Sequence, residues 1–172
     1  MMDAFHRLGL PRRFTIDPQQ LERAYLTHSR AVHPDYHLAA ASADLNASLQ
    51  LAAEINEAYN ILRDPFRRAE HLLRLEGGPT ASEQKQLPAA FLAEMLDARE
   101  EIEQARGLPE QQQLLEHRFR HRYESLLNDI ATTFEKLEPP PSSQRANQLA
   151  HIRSLLNAAQ YIRGLIRDLH GE

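Results

Sequence analysis

The sequence contains no cysteine and no tryptophan, and valine occurs only once, at position 32. The lack of cysteine excludes disulfides, thiolate zinc sites, cysteine-ligated iron-sulfur clusters and cysteine nucleophiles within this chain. No stretch alternates apolar with polar residues in the β-branched pattern of a strand, so strands are not expected. The sequence therefore predicts an all-α fold, and any thiol or cluster chemistry would have to come from another molecule.

Long apolar runs and concentrated positive charge are also missing. No window approaches the roughly 18 apolar residues of a membrane span, and residues 1–7 have no apolar core typical of a secretion signal. Of the 20 Lys+Arg and 24 Asp+Glu, residues 1–75 hold nine of each, so the acidic excess lies in the remainder. We therefore expect a soluble cytoplasmic protein that has no membrane partner and, without a basic face, no nucleic-acid partner.

Helical periodicity organises the first 76 residues. Asp17 and Pro18 are residue types that begin a helix, and Pro34 disfavours its continuation. Asp64-Pro65 ends a second helix and begins a short third one, which Gly77-Gly78-Pro79 ends. The apolar stripes are Leu21, Tyr25, His28 and Val32, then Leu45, Leu49, Ala52, Ile55, Tyr59 and Leu62, then Phe66, Ala69, Leu72 and Leu73. With a short helix at residues 3–8, this pattern predicts an antiparallel helical hairpin with short flanking helices.

The second half of the chain predicts three further helices. Thr80-Ala81-Ser82-Glu83 has the form of a capping box, and Gly107 and the proline run at 139–141 mark later helix ends. The apolar stripes are Phe91, Met95, Ala98 and Ile102, then Leu115, Phe119, Leu126, Ile130, Phe134 and Leu137, then Ile152, Leu155, Ala159, Ile162, Ile166 and Leu169. We therefore predict an N-terminal domain at 1–76, a linker at 77–82 and a C-terminal three-helix bundle at 83–172.

The tripeptide His33-Pro34-Asp35 stands where the first long helix gives way to a polar loop. Its context, a short leading helix, a helix before it and a long helix after it, resembles a J-domain. That resemblance implies that His33, Pro34 and Asp35 dock on a DnaK-type chaperone and stimulate its ATP hydrolysis. Arg23 and Arg30, seven residues apart on the same helix, would supply steering charge. The alternative interpretation is an ordinary helix end with a turn-forming aspartate.

Three further segments extend this resemblance over the whole chain: 68–73, 81–84 and 91–101, which read RAEHLL, ASEQ and FLAEMLDAREE. They are similar to the HscB family of J-type co-chaperones. The resemblance implies a specialised, HscA-like DnaK-type ATPase as one partner and an IscU-like iron-sulfur scaffold protein as the other. The residues expected to bind the scaffold are Leu92, Ala93, Leu96, Asp97, Glu100 and Gln104.

Helical spacing bears on that segment independently. Leu92, Leu96 and Glu100 are four residues apart, while Met95 and Ala98 belong to a different stripe, so one stripe can be core and the other a contact surface. An apolar strip with carboxylates beside it suits a partner with a basic rim. The alternative is that both stripes are buried within the bundle.

The sequence offers little support for an enzyme or a cofactor. His33 and His37 straddle Pro34 and cannot keep helical registry, and His117 and His121 lack the intervening glutamate of a zinc-protease motif. We therefore expect no metal, no cofactor and no catalytic site. Two other hypotheses stay open: a J-domain adaptor with a different client, and a metal-dependent hydrolase that uses the histidine pairs.

Overall fold

The computed structural model of the chain describes residues 3–32 and 42–170. Those two ranges form seven α-helices and contain no strand, so the all-α prediction is confirmed. The helices are α1 (Ala4–Arg7), α2 (Pro18–Val32), α3 (Ser42–Arg63), α4 (Pro65–Leu75), α5 (Ala89–Gln104), α6 (Pro109–Glu135) and α7 (Ser143–His170). The contacts divide the chain into two compact units, Met1–Leu72 and Leu73–Glu172, while the linker assigned to 77–82 stays a prediction.

Aspartates cap the starts of three helices of the N-terminal unit, α1, α2 and α4. A side-chain oxygen of Asp3 accepts the backbone N–H of His6 at 3.0 Å at the start of α1. Asp17 does the same for Gln19 at 3.0 Å, and Asp64 accepts the backbone N–H of Phe66 at 2.8 Å at the start of α4. Each side chain satisfies an N–H group that has no partner within its own helix, which explains why these helices begin where they do.

Helices α2 and α3 form the predicted antiparallel hairpin through polar and aromatic contacts. The Tyr25 hydroxyl donates to Asn56 at 2.9 Å, and the Tyr59 hydroxyl donates to Glu22 at 2.5 Å. The two tyrosine rings stack with their centroids 4.3 Å apart. Because the partner number falls as the α2 number rises, the two helices run in opposite directions.

Helix α1 packs against α3, and α4 completes the N-terminal unit. The backbone N–H of Ala4 donates to Nε2 of the buried His71 on α4 at 3.1 Å, and the His71 ring stacks on Phe5 at 5.8 Å. Arg7 pairs with Glu54 on α3. The core of this unit comprises Ala4, Phe5, Leu8, Leu10, Phe14, Ile16, Leu21, Ile55, Ala58, Leu62, Phe66, Ala69 and Leu72. This unit is a J-domain fold.

The C-terminal unit is the predicted three-helix bundle, built mainly on the long antiparallel pair α6 and α7. Near the α6–α7 turn Gln148 donates to the Lys136 carbonyl at 2.8 Å, and at the far end His170 lies 3.5 Å from Glu116. Helix α5 rests on α7. The buried apolar residues are Met95, Ala98, Ile102, Ala105, Leu115, Phe119, Leu126, Ile130, Leu149, Ile152, Leu156, Ala158, Ala159, Ile162, Leu165 and Leu169.

The expected start of the fifth helix was wrong. Thr80 and Glu83 do form the reciprocal bonds of a capping box, with the Thr80 N–H donating to the Glu83 carboxylate at 2.7 Å. The chain then makes only a turn, and α5 begins at Ala89. Pro88 stands immediately before it, and a proline disfavours helical geometry in the residue that precedes it.

The segment between α4 and α5 is attached along α7 within the C-terminal unit. The guanidinium of Arg145 bonds the Glu76 carboxylate at 2.5 Å, and Gln84 donates to the Ala150 carbonyl at 2.9 Å. Asn157 donates to the Gln84 carbonyl at 2.7 Å and accepts from the fully buried Arg153 at 2.9 Å. These bonds satisfy polar groups that would otherwise be costly to bury beside the apolar core.

Candidate functional site

The solvent face of α2 carries the two arginines predicted to steer a chaperone partner. Arg23 and Arg30 are both exposed, and because they are seven residues apart, about two helical turns, they lie on one face. Arg23 makes a loose ion pair with Asp17, at 3.9 Å. On the opposite side of α2, Tyr25 is bonded to α3, which leaves the arginine face open to solvent.

The tripeptide predicted to contact the ATPase lies outside the described residues. Helix α2 ends at Val32, immediately before His33, and Pro34 and Asp35 follow in the undescribed range. The roles of these three residues therefore stay predictions. They are supported by the hairpin, in which α2 precedes the tripeptide and α3 follows it.

Helix α5 has one buried face and one exposed face. Met95, Ala98 and Ile102 are between 2% and 5% exposed and form the buried face. Leu92 and Leu96 are 42% and 62% exposed, although burying such side chains away from water would lower the free energy. The other four residues of the predicted scaffold-binding set, Ala93, Asp97, Glu100 and Gln104, are exposed as well. All six form one strip, which we call the α5 strip.

Contacts on both flanks fix the orientation of the α5 strip. On the α7 side Phe91 meets Tyr161 edge to face at 6.2 Å, and the Arg99 guanidinium lies over the Tyr161 ring at 5.3 Å. On the α6 side Glu101 pairs with Arg118 at 2.7 Å. Together with the buried Met95, Ala98 and Ile102, these contacts hold α5 with its two leucines facing solvent.

The carboxylates of the α5 strip are free to bind a partner. Within the described part of the chain, Asp97 and Glu100 form no ion pair, whereas Glu94 and Glu101 are paired with Arg122 and Arg118. An arginine or lysine of a partner could therefore bond Asp97 or Glu100 without displacing an existing cation. The strip combines two apolar anchors with a free acidic rim.

Helix α6 adds exposed residues beside α5 that the sequence analysis did not identify. Leu114 is 71% exposed, and Arg118, His121 and Arg122 face α5 across a groove. The available signal was the pair Leu114-Leu115: Leu115 belongs to the buried stripe, so its neighbour must point about 100° away. Neighbouring leucines in an amphipathic helix therefore indicate an exposed apolar side chain.

Neither a metal site nor a membrane helix is evident in the described ranges. No group of three or more histidine, aspartate or glutamate side chains gathers there in a way that could hold a metal ion. His117 and His121 are exposed on α6, and the other pair, His33 and His37, lies outside the described residues. Among residues 3–32 and 42–170, no helix is long and apolar enough to cross a membrane.

Comparisons with known proteins agree with this architecture. A family model described as the HSCB C-terminal oligomerisation domain matches residues 87–170. The chain is 37% identical to a co-chaperone HscB homolog of Chromobacterium violaceum over 129 residues, which is 74% of each chain. It is 36% identical to the co-chaperone HscB of Proteus mirabilis over 137 residues, 79% of this chain and 72% of that one.

Solved structures support the fold in the same way. Chaperone HscB from Vibrio cholerae superposes with a TM-score of 0.80 at 24% identity, covering 99% of this chain and 96% of that one. Human co-chaperone HscB superposes with a TM-score of 0.83 at 20% identity, covering 99% and 81%. At 24% and 20% identity the solved structures show the fold, and the bacterial relatives at 37% and 36% identity show the family. The chain belongs to the HscB family of co-chaperones.

Proposed function

We propose that this co-chaperone stimulates the ATPase of a specialised, HscA-like DnaK-type chaperone and delivers an IscU-like iron-sulfur scaffold protein to it. The chaperone would bind His33, Pro34 and Asp35, with Arg23 and Arg30 steering the encounter. The scaffold would bind the α5 strip. The chain itself carries out no catalytic step and acts, as we expect, in the cytoplasm.

The observation that carries this proposal is the α5 strip. Two leucines held 42% and 62% exposed beside free carboxylates make a surface that is costly to leave uncovered and suited to a partner with an apolar face and a basic rim. The strip belongs to a chain whose other unit is a J-domain fold. An adaptor of this kind needs no active site, because binding two partners at once raises the concentration of one at the other.

Coupling to the ATPase would depend mainly on Asp35 and on the arginine face of α2. A carboxylate at Asp35 can make a charge-assisted, two-pronged bond to an arginine of the chaperone. Truncating one partner of such a buried pair typically costs about 2–5 kcal/mol, so a single substitution can abolish stimulation. Exposed Arg23 and Arg30 would act mainly on the association rate, and their effect should weaken as salt rises.

The N-terminal half of the proposal is tested by single-turnover ATPase assays with an HscA-like chaperone. We expect His33→Gln to abolish stimulation, and His6→Gln, an exposed histidine on α1, to leave it unchanged. Circular dichroism establishes that both variants are folded. Full stimulation by a folded His33→Gln protein would remove the proposed role of the tripeptide.

The C-terminal half is tested by calorimetric titration of the chain with a purified IscU-like scaffold protein. We expect Leu92→Ala and Leu96→Ala each to weaken binding by about tenfold, the effect of losing roughly 1.4 kcal/mol at an apolar anchor. Leu49→Ala, which truncates a leucine of α3 that is 52% exposed, is the matched control and should bind as the wild type does. Stimulation of the ATPase without any affinity for the scaffold would point instead to a J-domain adaptor with a different client.

A further inference from the structure

The α5 strip by itself is too small for a stable protein interface. From Leu92 to Gln104 it extends over twelve residue steps, about 18 Å at 1.5 Å per residue, and a helix is about 10 Å wide. The strip contains six residues, whereas a stable interface uses about 20–30 residues on each partner. A partner that binds the strip must therefore also contact a neighbouring helix.

Helix α6 provides such a surface next to the strip. A groove of about 400 Å³ runs between α5 and α6, with Glu94, Asp97 and Glu101 on one wall and Arg118, His121 and Arg122 on the other. Its floor includes the buried residues Met95, Ala98 and Phe119. Asp97 belongs both to the groove wall and to the α5 strip, so the two surfaces are continuous.

A second hollow extends the groove along α6 to Leu114. It is lined by Leu114, Leu115 and His117, and it shares Glu101, Arg118 and His121 with the first. At 71% exposure, Leu114 is the most exposed large apolar side chain in the described part of the chain. We call the two hollows together the α5–α6 trough. Leu114 lies at one end of this trough.

The charges of the trough indicate what could lie in it. Arg118 holds Glu101 at 2.7 Å and Arg122 lies 3.9 Å from Glu94, so both arginines already have carboxylate partners. Asp97 has none in the described ranges, and it stands where the trough meets the strip. A partner that offers a basic group to Asp97 and an apolar side chain to Leu114 would match both ends of this surface.

We infer that the scaffold-binding surface continues from the α5 strip across the α5–α6 trough to Leu114 on α6. This inference rests on the proposed function, because its occupant is the same iron-sulfur scaffold protein. The scaffold places an apolar side chain on Leu114 and Leu115, and a basic group beside Asp97. Leu114 is thus a third apolar anchor, on a different helix from Leu92 and Leu96.

The test is a calorimetric titration of the full chain with the IscU-like scaffold protein. We expect Leu114→Ser to raise the Kd by about threefold to tenfold, less than the loss of a central anchor because Leu114 lies at the edge of the surface. Leu49→Ser, the same change at a leucine of α3 that is 52% exposed, should leave the Kd unchanged. Because Leu114 is mostly in water, the variant should keep the wild-type circular dichroism spectrum and unfolding curve.

The possible outcomes separate this inference from the proposed function. If Leu92→Ala weakens binding while folded Leu114→Ser binds as the wild type does, the extension to α6 is wrong and the α5 strip stands. If the wild-type chain has no affinity for the scaffold, both are wrong. Sedimentation equilibrium tests whether a second copy of this chain occupies the trough instead of the scaffold. A lower oligomeric mass for Leu114→Ser, with unchanged scaffold affinity, would also overturn the inference.

Discussion

Helices α2 and α7 differ sharply in how they are attached to their own units. Helix α2 buries a single residue, Leu21, and is joined to α3 by tyrosine rings and hydrogen bonds near the surface. Helix α7 buries nine residues against α5 and α6, and all but Arg153 are apolar. Polar contacts near the surface contribute little net free energy, whereas apolar burial contributes about 25 cal/mol per Å².

This difference fits the tasks proposed for the two units. In the proposed function the arginine face of α2 offers solvated charge to an ATPase, so this side of the helix stays in water. The α5 strip has to hold two leucines at a fixed spacing, and α7 supplies a rigid support for it. The comparison predicts that α7 is held mainly by apolar contacts, whereas α2 depends more on particular polar ones.

Truncation of the α7 core should produce the largest effect. Leu156 has no exposed surface, so Leu156→Ala leaves a cavity and should lower the free energy of unfolding of the C-terminal unit by about 2–5 kcal/mol. Hydrogen exchange read by mass spectrometry, peptide by peptide, assigns the loss to one unit or the other. Leu49→Ala is the control, expected within about 0.5 kcal/mol of the wild type. Equal losses in the two variants would contradict the burial argument.

The next effect should come from one polar contact in the N-terminal unit. His71→Phe keeps a ring against Phe5 but removes the Nε2 atom that accepts the Ala4 N–H, leaving a buried donor without its acceptor. We expect a loss of about 1–3 kcal/mol, visible as faster hydrogen exchange in the N-terminal unit. His6→Phe, on the exposed side of α1, should change little. An unaffected His71→Phe protein would show that water replaces the lost acceptor.

The Asp3 cap should matter less, and its effect should depend on pH. Burial acts to raise the pKa of Asp3, but the His6 N–H and the Arg12 guanidinium, 2.9 Å away, outweigh it and hold the pKa below the ordinary 3.8. A carboxyl whose pKa is lowered by folding stabilises the fold above its unfolded pKa and loses that contribution as the pH falls through the folded pKa.

Asp3→Ala should therefore destabilise the N-terminal unit by about 0.5–2 kcal/mol near neutral pH, the usual range for a helix cap. The difference from the wild type should shrink as the pH falls below 3.8. Urea unfolding between pH 7 and pH 3 measures both quantities. Asp17→Ala, a cap on the exposed start of α2, is the comparison variant. A difference that stays constant over this range would rule out the carboxylate as its source.

The sequence predicted most of this fold because its helices obey local rules. Stripes with a spacing of three and four identified buried residues such as Leu62, Phe119 and Ile162, and aspartates and prolines marked the helix starts. The stripe rule erred at Leu49, which lies about 120° around α3 from the buried Ile55 and is exposed. Spacings of three and four accumulate rotation, so the ends of a long stripe can leave the buried face.

Contacts between distant residues were beyond the reach of those rules. The residues next to Arg153 in the sequence do not indicate that this arginine is buried. Its partner Asn157 is in turn bonded to Gln84, which lies far away in the sequence, in the α4–α5 segment.

For the candidate site, spacing divided α5 into two faces, and the structure shows which of them is buried. The α6 wall of the trough depends on how two helices meet, which no single helix encodes. Tyr25 and Tyr59, both assigned to apolar stripes, likewise reach across the hairpin to polar partners.

The tyrosine pair gives the smallest and most specific test of the comparison. Tyr59→Phe keeps the ring stacked on Tyr25 but removes the hydroxyl that donates to Glu22 at 2.5 Å. Because this bond lies near the surface, we expect a loss of under about 1 kcal/mol in the N-terminal unit. The hydrogen bond to Glu22 also raises the pKa of Tyr59 above its ordinary 10.0. Ultraviolet titration at alkaline pH should therefore show one tyrosine that ionises late, and Glu22→Gln should bring it back toward the others. A loss of several kcal/mol would mean that α2 depends on this single bond far more than its one buried residue suggests.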